Sequence, residues 1–474
     1  MVSPPNTSVA AAFQLSYRDL PADRQKLFRH LGMQPGVDVD AHGAAALQDT
    51  GVSDARRMLE EIEDHHLIEE TARGRYRMHD LVREYARRLA REAGTHAVDE
   101  ALERQLDYYL HAATRADQVF NRYNSPEPRY ATGPQPEIPD IPDARRATAW
   151  MRAEYANLQA AVEYAARHGH LTHAVYLPAA MKEFLRTHGH WSEALALHGT
   201  ALECALTAED VLGQATALRN MAVIHRVMGR YEQSEANLAQ ALELFDGLPD
   251  SHGQAIAFGD LASVLRVTGR YEEADETYQR ALRLFRDAGD TRGMAHVLVD
   301  IGHVQQLTGR YVEAAESLER ALELHGASGN RLGRANALTA LGDLHKSAGR
   351  YTGAIDAHRE ALVSYRILDN RYGEGNALAD LGDVLRLRGE YEEAAECIER
   401  ALGMFRAFGA RLGQANALMY LGRVRYCTGR LEAAERDFDE ALTICHELGS
   451  RMDGLTSSCI WPRRRRRGAH TASR

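Results

Sequence analysis

Three asparagines, Asn336, Asn376 and Asn416, stand at equal intervals, and His296 holds the same place one interval earlier. An amide donates and accepts at once, so such a series can pair with the backbone of an extended peptide. Asp343, Asp383, Asp300 and Asp380 alternate with Lys346, Arg386, Arg266 and Arg423 along the same stretches. Together these side chains make a candidate peptide-binding groove. Catalysis is not expected, because no HExxH, GxSxG or GxGxxG stands in a supporting context. Paired acids such as Glu272-Glu273 and Glu392-Glu393 sit at helix starts, where they favour the helix dipole. The pairs His168-Gly-His170 and His188-Gly-His190 flank helix-ending glycines and lack a converging third ligand, so no metal is assigned.

Composition narrows the remaining chemistry. The 474 residues are 45% apolar and 26% charged, enough for several domains with a real core. With 57 basic against 67 acidic residues, the net charge of −10 gives the body no pull towards nucleic acid or anionic membrane. Only Lys26, Lys182 and Lys346 are lysines, and none follows a glycine. The Gly-Lys-Ser/Thr phosphate cradle is therefore missing, which excludes a self-contained Walker-type NTPase. No apolar run approaches the roughly 18 residues of a membrane span, and Met1 to Pro5 does not begin a secretory signal. Five cysteines without a CxxC spacing read as reduced thiols in a cytoplasmic protein.

A repeat must position the groove residues. Gly189, Gly229, Gly269, Gly309, Gly349, Gly389 and Gly429 recur at that same interval without a slip, four of them in Gly-Arg-Tyr. Ala-Leu pairs beginning at Ala201 and ending at Ala441 keep the same period, as do Gly213, Gly253, Gly293, Gly333, Gly373 and Gly413. Within one unit, Ala335, Leu338, Leu341 and Gly342 fall at helical spacing and Gly349 ends the helix; Tyr351 to Leu362 then forms a second. A single hairpin cannot bury its apolar face, so the units must stack into an α-solenoid. The expected fold is mostly α: a small winged-helix domain followed by about seven 40-residue repeats.

The boundaries follow. Residues 1–14 are expected to be a disordered N-terminus and 15–95 a winged-helix domain. Residues 96–172 form a helical linker with a Pro-rich loop and a degenerate cap, 173–452 the repeats, and 453–474 an Arg-rich tail. In 15–95, Leu20 to Leu31 is an amphipathic helix, Asp40 to Gln48 a second, and Ser53 caps a third with Ala55, Leu59 and Ile62 inward. A hairpin turns at Arg73-Gly74, and Asp80 opens a fourth helix with Leu81, Tyr85 and Leu89 on one face. The third helix carries Arg56 and Arg57 but ends in Glu60, Glu61, Glu63 and Asp64, a poor match to phosphates. The six arginines of the tail, Arg463 to Arg467 and Arg474, leave residues 1–453 at −16.

Leu338, Leu341-Gly342, Ala354 and Ala361 resemble the tetratricopeptide pattern, in a repeat longer than the common one of about 34. Thr339, Ala379 and Met419 stand where a basic carboxylate clamp of that family would carry its lysine. The segment Arg75 to Ala86, containing Met78-His79-Asp80, resembles the Met-His-Asp motif that closes the NB-ARC regulatory ATPase module. Leu15 to Leu20, together with Trp150, Glu154, Asn157 and Leu158, adds to a likeness with the C-terminal portion of actinobacterial AfsR/SARP-type transcriptional regulators of the STAND class. That resemblance implies nucleotide-phosphate sensing by His79, with Asp80 orienting the helix start, and ADP or ATP only if a separate chain supplies the P-loop in trans. Otherwise no cofactor is expected. The leading expectation is a non-catalytic regulatory protein that takes a protein or peptide in its concave groove, with self-association left open and no membrane partner. The rivals are a DNA-binding regulator using Arg56, Arg57 or the tail, and a nucleotide switch completed in trans.

Overall fold

The computed structural model describes residues 6–94, 96–120, 136–187, 190–368, 370–407 and 409–447. The Arg-rich tail 453–474, most of the Pro-rich loop, His188 and Gly189 lie outside these residues. The first part comprises α1 (Asn6–Asp19), α2 (Ala22–Met33), α3 (Ala41–Gln48), α4 (Val52–Asp64), β1 (Glu69–Ala72), β2 (Arg75–Arg77) and α5 (Asp80–Ala93). The strands pair antiparallel, Glu69 with Arg77 and Glu70 with Tyr76, and Val39 joins them through a bridge to Tyr76. Leu27, Phe28, Leu31, Leu47, Leu59, Ile62, Tyr76 and Ala86 close one core.

Three local expectations are corrected. Helix α1 starts at Asn6, inside the stretch 1–14 expected to lack structure. Helix α4 begins one residue before Ser53, with Gly51 at its N-cap and no side-chain cap. Leu81 is 54% exposed, and α5 buries Val82, Tyr85, Ala86 and Ala90 instead. The last difference is one of phase: with the helix starting at Asp80, the i, i+3, i+4, i+8 face begins at Val82.

Two long helices follow, α6 (His96–Phe120) and α7 (Ala144–His168). They share a core with the next pair, Tyr109, Ala113, Leu158 and Val162 meeting Leu177 and Met181. The helix pairs are α8 (Leu171–Thr187) with α9 (Trp191–Thr207), α10 (Val211–Val227) with α11 (Tyr231–Asp246), and α12 (Ser251–Val267) with α13 (Tyr271–Asp287). Then come α14 (Thr291–Leu307) and α15 (Tyr311–Ala327), followed by the pairs α16 (Arg331–Ser347) with α17 (Tyr351–Ile367), α18 (Arg371–Arg388) with α19 (Tyr391–Ala407), and α20 (Arg411–Cys427) with α21 (Leu431–Glu447). The chain divides into two compact units within α14, between Val304 and Gln305. Among the described residues no helix is long and apolar enough to cross a membrane.

The glycine series have different jobs. Gly229, Gly269, Gly309, Gly349, Gly389 and Gly429 end first helices with φ between 72° and 90°, a conformation β-carbons resist. The series from Gly213 has no such need, since those glycines lie inside helices. At Gly373 a β-carbon would come within 2.4 Å of the Tyr365 ring. Phe245, Phe285, His325 and Phe405 press in the same way on Gly253, Gly293, Gly333 and Gly413. Three residues before four of these glycines, an acid or amide caps the helix. Asp250, Asp290, Asn330 and Asn370 accept the N–H of Gly253, Gly293, Gly333 and Gly373 at 2.8–3.0 Å. One repeat thus lays a ring from its second helix over the capped first turn of the next.

Ala410 breaks this series. Its backbone, φ −75° and ψ 84°, nearly superposes on that of Asn370, φ −81° and ψ 83°, but it has no capping side chain. Ala410→Asn should therefore raise stability by about 1 kcal/mol. Gly373→Ala should lower it by about 1–3 kcal/mol, because the Tyr365 ring must move. Urea melts followed by far-UV circular dichroism would check both, and a destabilised Ala410→Asn would contradict the capping argument.

Candidate functional site

The expected groove residues gather on three consecutive first helices, α16, α18 and α20. Lys346 on α16 bonds Asp343 one turn earlier, Nζ to Oδ1 3.0 Å, and reaches across to Asp383 of α18 at 3.7 Å. Arg386 grips the same Asp383 with Nη2 at 2.7 Å and Nε at 3.0 Å. Asp383 is buried, while Asp343, Lys346 and Arg386 are half-buried. Residues one period apart (343 with 383, 346 with 386) therefore interlock between neighbouring repeats. Burial opposes the Lys346 ammonium, yet Asp343, Asp380 and Asp383 hold its proton more tightly than usual.

Asp380, on α18, joins this cluster from the next turn. Its carboxyl accepts from the Tyr420 hydroxyl of α20 at 3.5 Å. Burial, then the charge of Asp343, pushes its pKa up to about 8; Lys346 pulls it down, Asp383 adds to the rise and the Tyr420 bond opposes it. Three carboxyls face two cations, and the mismatch is relieved by Asp380 keeping its proton. The Tyr420 phenol is raised for the same reasons, burial first and then Asp380. The Arg423 guanidinium lies 5.8 Å from the Tyr420 ring centre.

The three asparagines are not equivalent. Asn336 is exposed, and its amide oxygen accepts from Tyr365 at 2.7 Å. Asn376 and Asn416 are half-buried and have no hydrogen bond among the described residues. The position that supplies the Tyr365 hydroxyl to Asn336 is filled by Phe405 and Cys445 in the following repeats. Two amides therefore keep both donor and acceptor available beside the charged cluster.

Tyr420 escaped the sequence reading, and Asp380 was not separated from the other acids. The signal lay in one column, Asp260, Asp300, Ala340, Asp380 and Tyr420, where an aspartate recurs in three units and a tyrosine replaces it in the last.

Elsewhere, His79 is the N-cap of α5, its Nδ1 accepting from the Leu81 N–H at 3.4 Å. The capping role expected of Asp80 thus belongs to His79; Asp80 occupies the first helical turn, and both are exposed. Arg57 pairs with Asp54, and Arg24 bonds Glu61 through Nε at 2.7 Å, while Arg56 is exposed. Glu154 and Asn157 build a latch. Glu154 pairs with Arg75 of the hairpin, and Asn157 donates to Asp38 at 2.9 Å and to Glu154 at 2.7 Å. Its amide oxygen accepts the Val37 N–H at 2.9 Å, so α7 is fastened to the first part of the chain.

Residues 213–287, 293–367 and 369–447 match the family model for the tetratricopeptide repeat, so the repeats of this solenoid are tetratricopeptide repeats. The chain is 32% identical over 236 residues to the regulatory protein AfsR of Streptomyces coelicolor, covering 48% of this chain and 23% of that protein. Against the AfsR of Streptomyces griseus it is 32% identical over 244 residues, 49% of this chain and 24% of the relative. It carries an AfsR-like tetratricopeptide portion, and the match spans about a quarter of the length of these relatives. A Rap protein solved in complex with competence and sporulation factor shares the fold, with a TM-score of 0.50 and 15% identity, over 74% of this chain and 99% of that one.

The Asp380 shift has a definite sign. Its folded-state pKa lies above the unfolded value of about 3.9, so its contribution is fully present below that value and is lost as pH rises through about 8. Asp380→Asn should remove this decline. The variant should match the native chain at pH 4 and exceed it at pH 8 by on the order of a few kcal/mol. Denaturant midpoints at the two pH values test this, and a variant less stable at pH 8 would contradict it.

Proposed function

We propose that this chain is the tetratricopeptide sensor portion of an AfsR-like regulator, a non-catalytic protein whose groove captures a protein or peptide partner. The observation that carries this reading is the cluster on α16, α18 and α20: two amides without a hydrogen bond and a carboxyl without an ion pair of its own among the described residues. Asn376 and Asn416 suit the backbone of an extended segment, and Asp380 suits a lysine, arginine or amino terminus on it. Arrival of that cation would drive off the Asp380 proton, so the partner is basic at the contact. The regulatory identity of the AfsR relatives supports the role, and the Rap protein complex supports the use of this fold to hold a partner.

The first part of the chain reads as the winged-helix module that receives the signal, joined to the repeats through Arg75, Glu154 and Asn157. The acidic end of α4 and the Arg57–Asp54 pair give DNA contact by that helix no support.

Asn376→Ala combined with Asn416→Ala in the full chain should lower the retention of random-sequence peptides on the immobilised protein about tenfold or more. The peptides lost should be those carrying Lys or Arg, and far-UV circular dichroism should be unchanged. Undiminished retention by a folded double variant would move the ligand out of this groove.

A further inference from the structure

A cavity of about 310 Å³ opens between the end of α2, α5 and the last turns of α7. Arginine dominates it. Arg87 and Arg91 line it from α5, four residues apart on one face, and Arg83 continues that face outside the lining. Arg83 donates to the Gly36 carbonyl at 2.9 Å, and Arg87 donates through Nε to the Gly32 carbonyl at 3.0 Å. Arg87 is thereby fixed at its inner nitrogen, and its two terminal nitrogens have no hydrogen bond among the described residues. Arg91 meets Glu84 only at 3.8 Å and is exposed.

From the opposite wall, α7 supplies Arg167, His168 and Glu163. Arg167 pairs with Glu163 at 3.1 Å. The His168 Nδ1 bonds the Tyr164 carbonyl at 2.9 Å, and its ring stacks on Tyr164 with centres 4.0 Å apart. A carbonyl only accepts, so the proton of neutral His168 sits on Nδ1 and Nε2 is the nitrogen left for a ligand. Three guanidiniums against one carboxylate give the lining a charge of +2.

We propose that this cavity binds a phosphate group, free or carried by a small molecule. A phosphate dianion matches the excess charge, and its oxygens suit guanidinium forks arriving from two directions. Met33, Pro35 and Ala160 line the remainder and give a small attached group an apolar wall. The volume lies at the lower end of small-molecule sites, which commonly form where separate structural parts meet. Because α2 and α5 supply one side and α7 the other, occupation strengthens the same junction that Asn157 and Glu154 latch.

The test is a titration of the full chain with inorganic phosphate and with glucose 6-phosphate, read by thermal melting and isothermal calorimetry at constant ionic strength, with chloride and glucose as controls. Both phosphates should raise the melting temperature, and neither control should. Tighter binding of glucose 6-phosphate would assign the site to an esterified phosphate; equal binding would assign it to the free ion. Arg91→Gln with Arg167→Gln, both on exposed side chains, should weaken binding at least tenfold. Glu163→Gln, which removes the lining carboxylate and releases Arg167, should strengthen it several-fold. A melting shift no larger than that of chloride, or binding indifferent to both variants, overturns the proposal.

Discussion

The contact on which the repeats depend joins one unit to the next. A ring from a second helix, Phe245, Phe285, His325, Tyr365 or Phe405, lies on the first turn of the following helix, where only a glycine leaves room. In four of the five contacts that turn is also fixed by a capping acid or amide. A ring on a capped turn sets both the distance and the angle between repeats, which hydrophobic burial alone would leave loose. The positive-φ glycines then need only reverse the chain within each unit. Everything functional on the first helices inherits its spacing from this contact, including the fit of Lys346 to an aspartate of the next repeat.

Much of this was legible because a strict period repeats its evidence. The seven helix pairs, the helix-ending glycines and the hairpin at Arg73-Gly74 all announce themselves through spacing. The ring-on-glycine contact was harder to read, since glycine at position 373 looks like a turn signal until Tyr365 is found above it. Helix phase near Leu81 depended on a cap, His79, of a residue type that rarely marks one. The site was legible as a set of polar columns, but its sharpest feature was not. That Asp380 holds its proton follows from where Asp343, Lys346 and Tyr420 arrive together, which no single column records.

The polar cluster and the repeat scaffold are in tension. Packing asks for the same residue in every unit, and the core columns comply: Ala337 and Ala377, Ala354 and Ala394, Ala361 and Ala401 are all fully buried. The column of Asp260, Asp300, Ala340, Asp380 and Tyr420 complies only in part, since Ala340 and Tyr420 interrupt its aspartates, and Asp380 keeps its proton beside them. Departures of this kind, where local consistency yields without a structural gain, are where function is expected to sit. Asn336 gives a smaller example, since Tyr365 ties it into the scaffold while the two later asparagines remain unbonded.

The ring-on-glycine contact spans a repeat boundary, and this bears on how such a chain changes length. Delete or duplicate one whole period between two leading glycines, and a ring still meets a glycine across the new junction. Phe, Tyr and His all serve as the ring, and Asp and Asn both serve as the cap, so the joint tolerates mismatched parents. The array is thus free to gain or lose whole units by recombination without rebuilding its core. The Lys346–Asp383 and Asp380–Tyr420 pairs have no such tolerance, because each names two particular neighbours. Recombination within 340–420 would erase the cluster while sparing the fold, whereas exchange elsewhere would lengthen or shorten the chain around an intact site.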